Sequence, residues 1–306
     1  MDSIGIAHLD PKGTQTLLIL AAMSRISTPE TDRAIIFDTE THDKHSPRII
    51  EAAYGYVDEV SARLDTSSIV VQRFNPGAPI SYGAMATHHI VDEDLAGFPS
   101  HETFALPADV RYVIGHNVSF DIKAAGNPEG LLTIDTLALS RKAWPDIDSH
   151  TQTALFYMLH STQGLDMNRA REFVKGAHSA ATDIQMCGFI FEQLAVALDD
   201  LVPRAEDVMG RSLNLMEAMH LISQAAGVPL VIEFGKHAGT PAHQVPADYK
   251  RWYRGVENPD PGLLLAMDEG GPTEDGRALY SLAKELFGPE LQKRTPAPVQ
   301  RGFSFS

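Results

Sequence analysis

The sequence predicts an α/β protein: one mixed-sheet domain followed by a second, smaller unit. Three observations carry that expectation. Runs rich in β-branched and aromatic residues fall at Arg33–Thr39, Ile49–Val57 and Ser68–Phe74 with short polar turns between them, the spacing of an antiparallel meander. From Val110 onward strand-like and helix-like segments alternate, and after Leu201 the pattern changes again.

Residues 1–32 read as a short helix and a linker ending in "STPETDR", where Pro29 and the polar cluster interrupt any periodicity. "VRYVIGHN", Val110–Asn117, is a buried strand, and Ser119 is the expected N-cap of a helix opening at Phe120 and Asp121. A short strand at Leu132–Asp135 precedes helices at Thr136–Lys142 and Gln152–Leu159. "QTALFY" at the start of the second of these superficially resembles a sliding-clamp-binding peptide, but its amphipathic pattern assigns it to the core. Ile184, Cys187, Phe191, Leu194 and Leu198 follow the helical i, i+3, i+7 spacing and close the domain near Leu201. Leu213–Ala226 is helical, Gly227 and Pro229 stop it, and "LVIEF" is the expected strand entering the second unit. The expected organisation is therefore an extension over 1–32, a domain over 33–201, a small module over 202–290 and a disordered Pro-, Ser- and Gly-rich tail over 291–306.

The chain has 306 residues, 43% of them hydrophobic, enough for one sizeable core plus an appendage. Lys and Arg number 25 against 40 Asp and Glu, a formal charge of −15, which argues against nonspecific coating of nucleic acid or anionic membrane. An enzyme acting on nucleic acid is not excluded, because it needs only a local cationic groove and can use metal ions as its largest positive charges. The single cysteine, Cys187, rules out an intramolecular disulfide. "LLILAAM", Leu17–Met23, is too short to span a bilayer and lacks signal-peptide flanks. A cytoplasmic chain with no membrane partner is expected.

"AIIFDTET", Ala34–Thr41, ends an apolar run in two acids. In a strand Asp38 and Glu40 point the same way, with Cα atoms roughly 6.5 Å apart, and a carboxylate at the end of a covered strand is costly unless paired. Alternatively the strand stops at Phe37 and both acids lie in a solvated loop. Two further acids, Asp121 in "GHNVSFD" and Asp183 in "HSAATD", fall in the first turns of expected helices. Four converging carboxylates are unstable alone, since like charges about 4 Å apart repel by about 4 kcal/mol per pair at an effective dielectric of 20. Oxygen-only ligands favour Mg²⁺ or Mn²⁺, and a metal pair suits phosphoryl transfer. His178, five residues before Asp183, cannot share its helical face and belongs in the preceding loop, with Gly176 lending mobility and Ser179 as expected N-cap. From there an imidazole is suited to take a proton from the attacking water; a solvated loop histidine is the plainer alternative.

"FDTET", "GHNVSFD" and "HSAATD", in this order, resemble the three exonuclease motifs of the DEDD superfamily in its histidine subgroup, the DnaQ-like enzymes. The tyrosine subgroup would place Tyr four before the last Asp, where this chain has Ser179. "PISYGAMATHHI", "RKAWPDI", "FGKHAG" and "DYKRWY" resemble segments of the bacterial exonuclease X branch, which extends the likeness to about Tyr253. The resemblance implies a ribonuclease H-like fold with a five-stranded mixed sheet flanked by helices. It implies a 3′ to 5′ exonuclease releasing nucleoside 5′-monophosphates from DNA, single strands preferred, with two Mg²⁺ (Mn²⁺ as substitute). Asp38, Glu40, Asp121 and Asp183 match metal ligands, and His178 matches the general base. The thirty or so residues before the first motif and the long C-terminus are not explained by it; a downstream start at Met23 would account for the first.

Thr39, Thr41, His88, His116, Asn117 and Phe120 match family positions near the terminal nucleotide, although Phe120 also suits a core, His116 a strand end and Thr41 a turn. Over Phe234–Arg254, Lys236, Lys250, Arg251 and Arg254 oppose only Asp248, and Tyr249, Trp252 and Tyr253 are interleaved, the composition of a single-strand platform. Within it Trp252 is expected in the core, and Lys236 and the arginines, Arg251 among them, on nucleic acid. The alternatives are an exoribonuclease, a proofreading-type subunit of a larger complex, or a catalytically dead binding protein, the last disfavoured by the presence of all five catalytic side chains. Oligomeric state, a dimer included, is left open.

Overall fold

β1 (Arg33–Thr41) carries the apolar run Ala34–Phe37 and is buried along both faces, so it takes the middle of a five-stranded sheet. It pairs antiparallel with β2 (Ile49–Val57), which pairs antiparallel with β3 (Val70–Arg73). On its other side it runs parallel to β4 (Val110–Gly115), and β4 to β5 (Leu132–Asp135), giving the order β3-β2-β1-β4-β5. The mixed five-stranded sheet flanked by helices that the motifs imply is therefore present. This computed structural model describes residues 33–288, so the expected helix and linker of 1–32 and the expected tail of 291–306 lie outside the described residues.

The described residues divide into two compact units, one of 33–227 with 286–288, the other Val228–Glu285. The helices of the first are α1 (Tyr82–His88), α2 (Ser119–Ala124), α3 (Thr136–Ala143), α4 (Gln152–Gln163), α5 (Met167–Val174), α6 (Ala180–Ala197), α7 (Val202–Met209) and α8 (Leu215–Ala226). Side chains alternate across β1. Ile35 and Phe37 join Val113, Val118 and Ile122 in a core on the α2 face. Ile36, Asp38 and Glu40 point to the opposite face, where α6 lies along β1 and β2. α3 and α4 back α6, and α8 covers β5 and α3.

α6 lies close to the sheet because residue 188 has no side chain: a Cβ there would sit 2.9 Å from Leu64 Cβ and 3.1 Å from Ile36 Cδ1. The helix that carries Asp183 is thereby drawn onto the strand that carries Asp38 and Glu40.

Several boundaries differ from expectation for local reasons. β1 runs on to Thr41, so Asp38 and Glu40 are strand residues. Thr66–Ser68 forms a 3₁₀ turn capped by the Asp65 carboxylate, which delays β3 to Val70. Ser119 is the first helical residue of α2, not its cap: the chain turns earlier, at Asn117, whose φ is 65° and whose N–H donates to Asp135 Oδ1. Ser179 occupies the N-cap position of α6 but its side chain makes no cap bond. The short helix α5, capped by the Asp166 side chain, gave too brief a periodic signal to be expected.

The second unit contains α9 (Ala247–Arg254), α10 (Pro261–Met267) and, as far as Glu285, α11 (Glu274–Phe287). "LVIEF" is not a strand. Ile232 N donates to Thr240 O and Ile232 O accepts from Gly239 N, which closes a tight turn, and a single bridge joins Val231 to Pro241. Pro229 and Pro241 lack the N–H groups that a longer ladder would need.

Gly188→Val should lower unfolding stability by about 1–3 kcal/mol, the usual cost of overpacking, despite the better helix propensity. Chemical denaturation checks this; an unchanged midpoint would mean that α6 does not rest on this contact.

Candidate metal centre

β1 outruns its parallel neighbour. Its pairing with β4 ends at Ile36↔Ile114, while β2 accompanies it to the end, with the register slipping between Glu40 and Thr41. On the β4 side, beyond the end of that strand, a side chain serves the exposed backbone: Thr39 N donates to Asp121 Oδ1 at 2.9 Å, and Thr39 Oγ1 donates to the same oxygen at 2.7 Å. Asp121 reaches this point from the first turn of α2, directly after β4. From above, the first turn of α6 supplies Asp183.

One oxygen from each of Asp38, Glu40 and Asp183 can be chosen so that all three lie within 4.8 Å of one another. Asp121 stands beside this trio and acts electrostatically on Asp38. Burial, with Asp121, Asp183, Glu40 and Glu51 adding repulsion, raises the Asp38 carboxyl well above its usual range. Burial and then Asp183, Glu51 and Asp121 push Glu40 up to about 9. Burial takes Asp121 to about 7 against the stabilising bonds from Thr39. It takes Asp183 to about 6 against the N–H of His178. A group of oxygen donors that retains protons because it is buried and, at Asp38 and Glu40, because its members repel fits a hard divalent cation, whose charge would release those protons.

His178 is exposed in the loop before α6, with φ at 66°. A non-glycine residue holds this left-handed conformation only where its surroundings enforce it. Here the His178 backbone N–H is directed at the Asp183 carboxylate, 3.2 Å from Oδ2. The Gln152 amide holds the Asp183 carbonyl.

The six residues expected around a terminal nucleotide divide. Thr39 is committed to Asp121. Thr41 Oγ1 donates to Asp43 O at 3.2 Å. His116 faces Thr136 Oγ1 at 3.0 Å through Nδ1 and the His150 carbonyl at 2.9 Å through Nε2, so both ring nitrogens are engaged within the protein. His88 is buried at the end of α1, with Nδ1 accepting from Ile90 N, and feels the charges of Glu51 and His178. Asn117 is exposed and Phe120 half-buried, next to Asp121. Glu51 was not anticipated from the sequence. The signal was a lone acid within the otherwise uncharged strand "IIEAAYGYV".

Within the second unit, Lys250 donates to the Met267 carbonyl and Arg254 pairs with Asp268 at 2.6 Å, so two of the four expected cations are tied internally. Lys236 and Arg251 have no ion-pair partner among the described residues. Trp252, expected in the core, is 56% exposed, while Tyr249 and Tyr253 fill the interior. In an eight-residue helix those two tyrosines, four apart, take the inward face, and Trp252 falls beside it.

The raised carboxyl values make stability depend on pH. Above the ordinary Glu value of 4.5 and up to about 9, the folded cluster binds protons that the unfolded chain has released, so metal-free stability should fall as pH rises through that window. Thermal melts should therefore show a falling Tm from pH 5 to pH 8 and a larger rise on adding Mg²⁺ or Mn²⁺ at pH 8, with Glu40→Gln flattening the metal-free trend. An equal cation response at both pH values would count against the cluster as the cation site.

No family model and no curated protein matches the chain. Two solved structures similar to it are exonuclease X in complex with 5′ overhanging duplex DNA and E. coli exonuclease I in complex with a dT13 oligonucleotide. The first is 22% identical over 61% of this chain and 99% of that one, with a TM-score of 0.40. The second is 17% identical over 57% of this chain, with a TM-score of 0.42, and the likeness spans 43% of the exonuclease I chain. Both are exonucleases by name.

Proposed function

We propose that this chain is a metal-dependent 3′ to 5′ exodeoxyribonuclease, releasing nucleoside 5′-monophosphates and preferring single strands. The observation that carries this reading is the convergence of Asp38, Glu40 and Asp183 oxygens within 4.8 Å, with Asp121 alongside, in residues from all three motifs. Asp38, Glu40, Asp121 and Asp183 would hold two Mg²⁺, or Mn²⁺ in their place. Cations bound there supply charge stabilisation for the attacking and leaving oxygens of the phosphodiester. His178 accepts the proton of the attacking water on an imidazole nitrogen, and its backbone bond to Asp183 keeps base and carboxylate in one relative position. Thr39 orients Asp121. His88, Asn117 and Phe120 grip the terminal nucleotide, and His116 shapes the wall behind them through Thr136 and His150.

In the second unit, Lys236 and Arg251 with the exposed rings of Phe234 and Trp252 form the sequence-independent contact for a single strand.

End-labelled single-stranded DNA, duplex DNA and RNA of one sequence, each with Mg²⁺, Mn²⁺ or excess chelator, test the whole reading. Mononucleotide release from the 3′ end of DNA with either metal, and none in chelator, is expected; full activity in chelator, or activity on RNA alone, would overturn it. His178→Ala should lower kcat by about 10² or more while leaving DNA affinity nearly intact. A variant within a few-fold of wild type would show that another group takes the proton.

The Lys236→Ala, Arg251→Ala double variant should raise KM for long single strands and flatten its salt dependence, and di- or trinucleotide cleavage should change little. Trp252 fluorescence offers a direct readout, since Trp144, the other tryptophan, is buried. Equal effects on long and short substrates would remove this surface from the reading.

A further inference from the structure

Glu51 lies opposite Glu40 of β1 on one side and Arg73 of β3 on the other. Directly opposed residues share a face, so Glu40, Glu51 and Arg73 form a row across three strands on the side covered by α6. Two acids side by side at a buried position oppose folding, and Glu51 is only 5% exposed. Its carboxylate is nevertheless paired. Arg73 Nε donates to Oε2 at 2.9 Å, and Ala180 N donates to Oε1 at 3.2 Å.

The second contact sits at a telling place. Ala180 opens α6, so its N–H is one of the four that no intrahelical carbonyl can accept, and the positive end of the helix dipole lies there. Ser179 leaves that end uncapped with its own side chain. A carboxylate from β2 does the work instead. The capped residue is two after His178 and three before Asp183. Besides α2 with Asp121, the candidate centre is built from β1 with Asp38 and Glu40 and the start of α6 with His178 and Asp183, and Glu51 ties the sheet to the start of α6.

We propose that Glu51, held by Arg73, is a positioning residue that fixes the first turn of α6 against the sheet and so sets His178 and Asp183 relative to Asp38 and Glu40. This rests on the reading of those residues as a metal-dependent nuclease centre. Arg73 has a double part: it holds the carboxylate in the rotamer that reaches Ala180, and it offsets the charge that Glu51 places next to Glu40. Outer residues of this kind typically matter by about 10- to 100-fold in metal affinity or activity.

Glu51→Ala removes both contacts, and Glu51→Gln keeps an acceptor for Ala180 N while losing the ion pair. Three quantities are measured on each: amide exchange over residues 178–183 without metal, Mn²⁺ affinity by calorimetry without substrate, and kcat and KM on a single-stranded oligonucleotide. Glu51→Ala should lose protection at Ala180, bind Mn²⁺ about 10- to 100-fold more weakly and lose kcat with KM little changed, while Glu51→Gln recovers most of the protection. Wild-type exchange and Mn²⁺ affinity in Glu51→Ala would overturn the proposal. So would equal losses in both variants tracking a common fall in Tm, the signature of an ion pair that only stabilises the fold. A wild-type protein that binds Mn²⁺ but cleaves no nucleic acid would remove the nuclease reading and leave the positioning role to be judged by exchange and metal affinity alone.

Discussion

The burial of carboxylates that also repel one another governs this molecule. Asp38, Glu40 and Asp183 are brought close enough for their oxygens to share one cation, and Asp121 and Glu51 add to the field. Burial is the larger part of the cost, because the low-dielectric interior solvates the charges less and screens them less. The surrounding donors are arranged to hold the acids individually: Thr39 takes Asp121, the His178 N–H takes Asp183, and Arg73 takes Glu51. Among the described residues no ion pair reaches Asp38 or Glu40. The protein supplies geometry for these two and, among the described residues, no cationic side chain paired with either.

The cost is concentrated where the sheet loses regularity. β1 continues past the end of β4, so its last residues keep β2 on one side and have Asp121 on the other. That unequal length opens the space into which the first turns of α2 and α6 project their acids. A helix start is a favourable place for a carboxylate, since free N–H groups and the dipole both attract negative charge. One strand and two helices therefore deliver acids to one point with each acid locally tolerable, and the conflict arises only when they meet. The close approach of α6 at Gly188 makes that meeting tight.

The second unit shows the opposite economy. Its aromatic side chains build a small core from Tyr249 and Tyr253 and leave Trp252 and Phe234 outside. Its cations divide likewise, with Lys250 and Arg254 turned inward to Met267 and Asp268 while Lys236 and Arg251 stay unpaired among the described residues. In a chain with a formal charge of −15, any attraction for a polyanion has to come from such local groups.

What the sequence by itself determined are the features carried by short-range pattern. The apolar strand leading to Asp38, the helix starts at Asp121 and Asp183 and the loop position of His178 follow from periodicity and from the limits of a helical turn and are found in place, whereas the sequence left open whether that strand stops at Phe37, and β1 runs on through Glu40 to Thr41. Tertiary structure decided the rest. Glu51 looked like a lone acid in a strand, because its meaning depends on the pairing of β1, β2 and β3 and on where α6 begins. Ser119 and Ser179 had the composition of caps, yet a turn at Asn117 and a carboxylate from another strand took those roles. Trp252, expected in the core, is exposed, and His116 has both ring nitrogens engaged by Thr136 and His150, since burial and pairing are set by partners distant in the chain. Local propensity reads backbone geometry over a few residues, whereas which polar group satisfies which is a property of the packed whole.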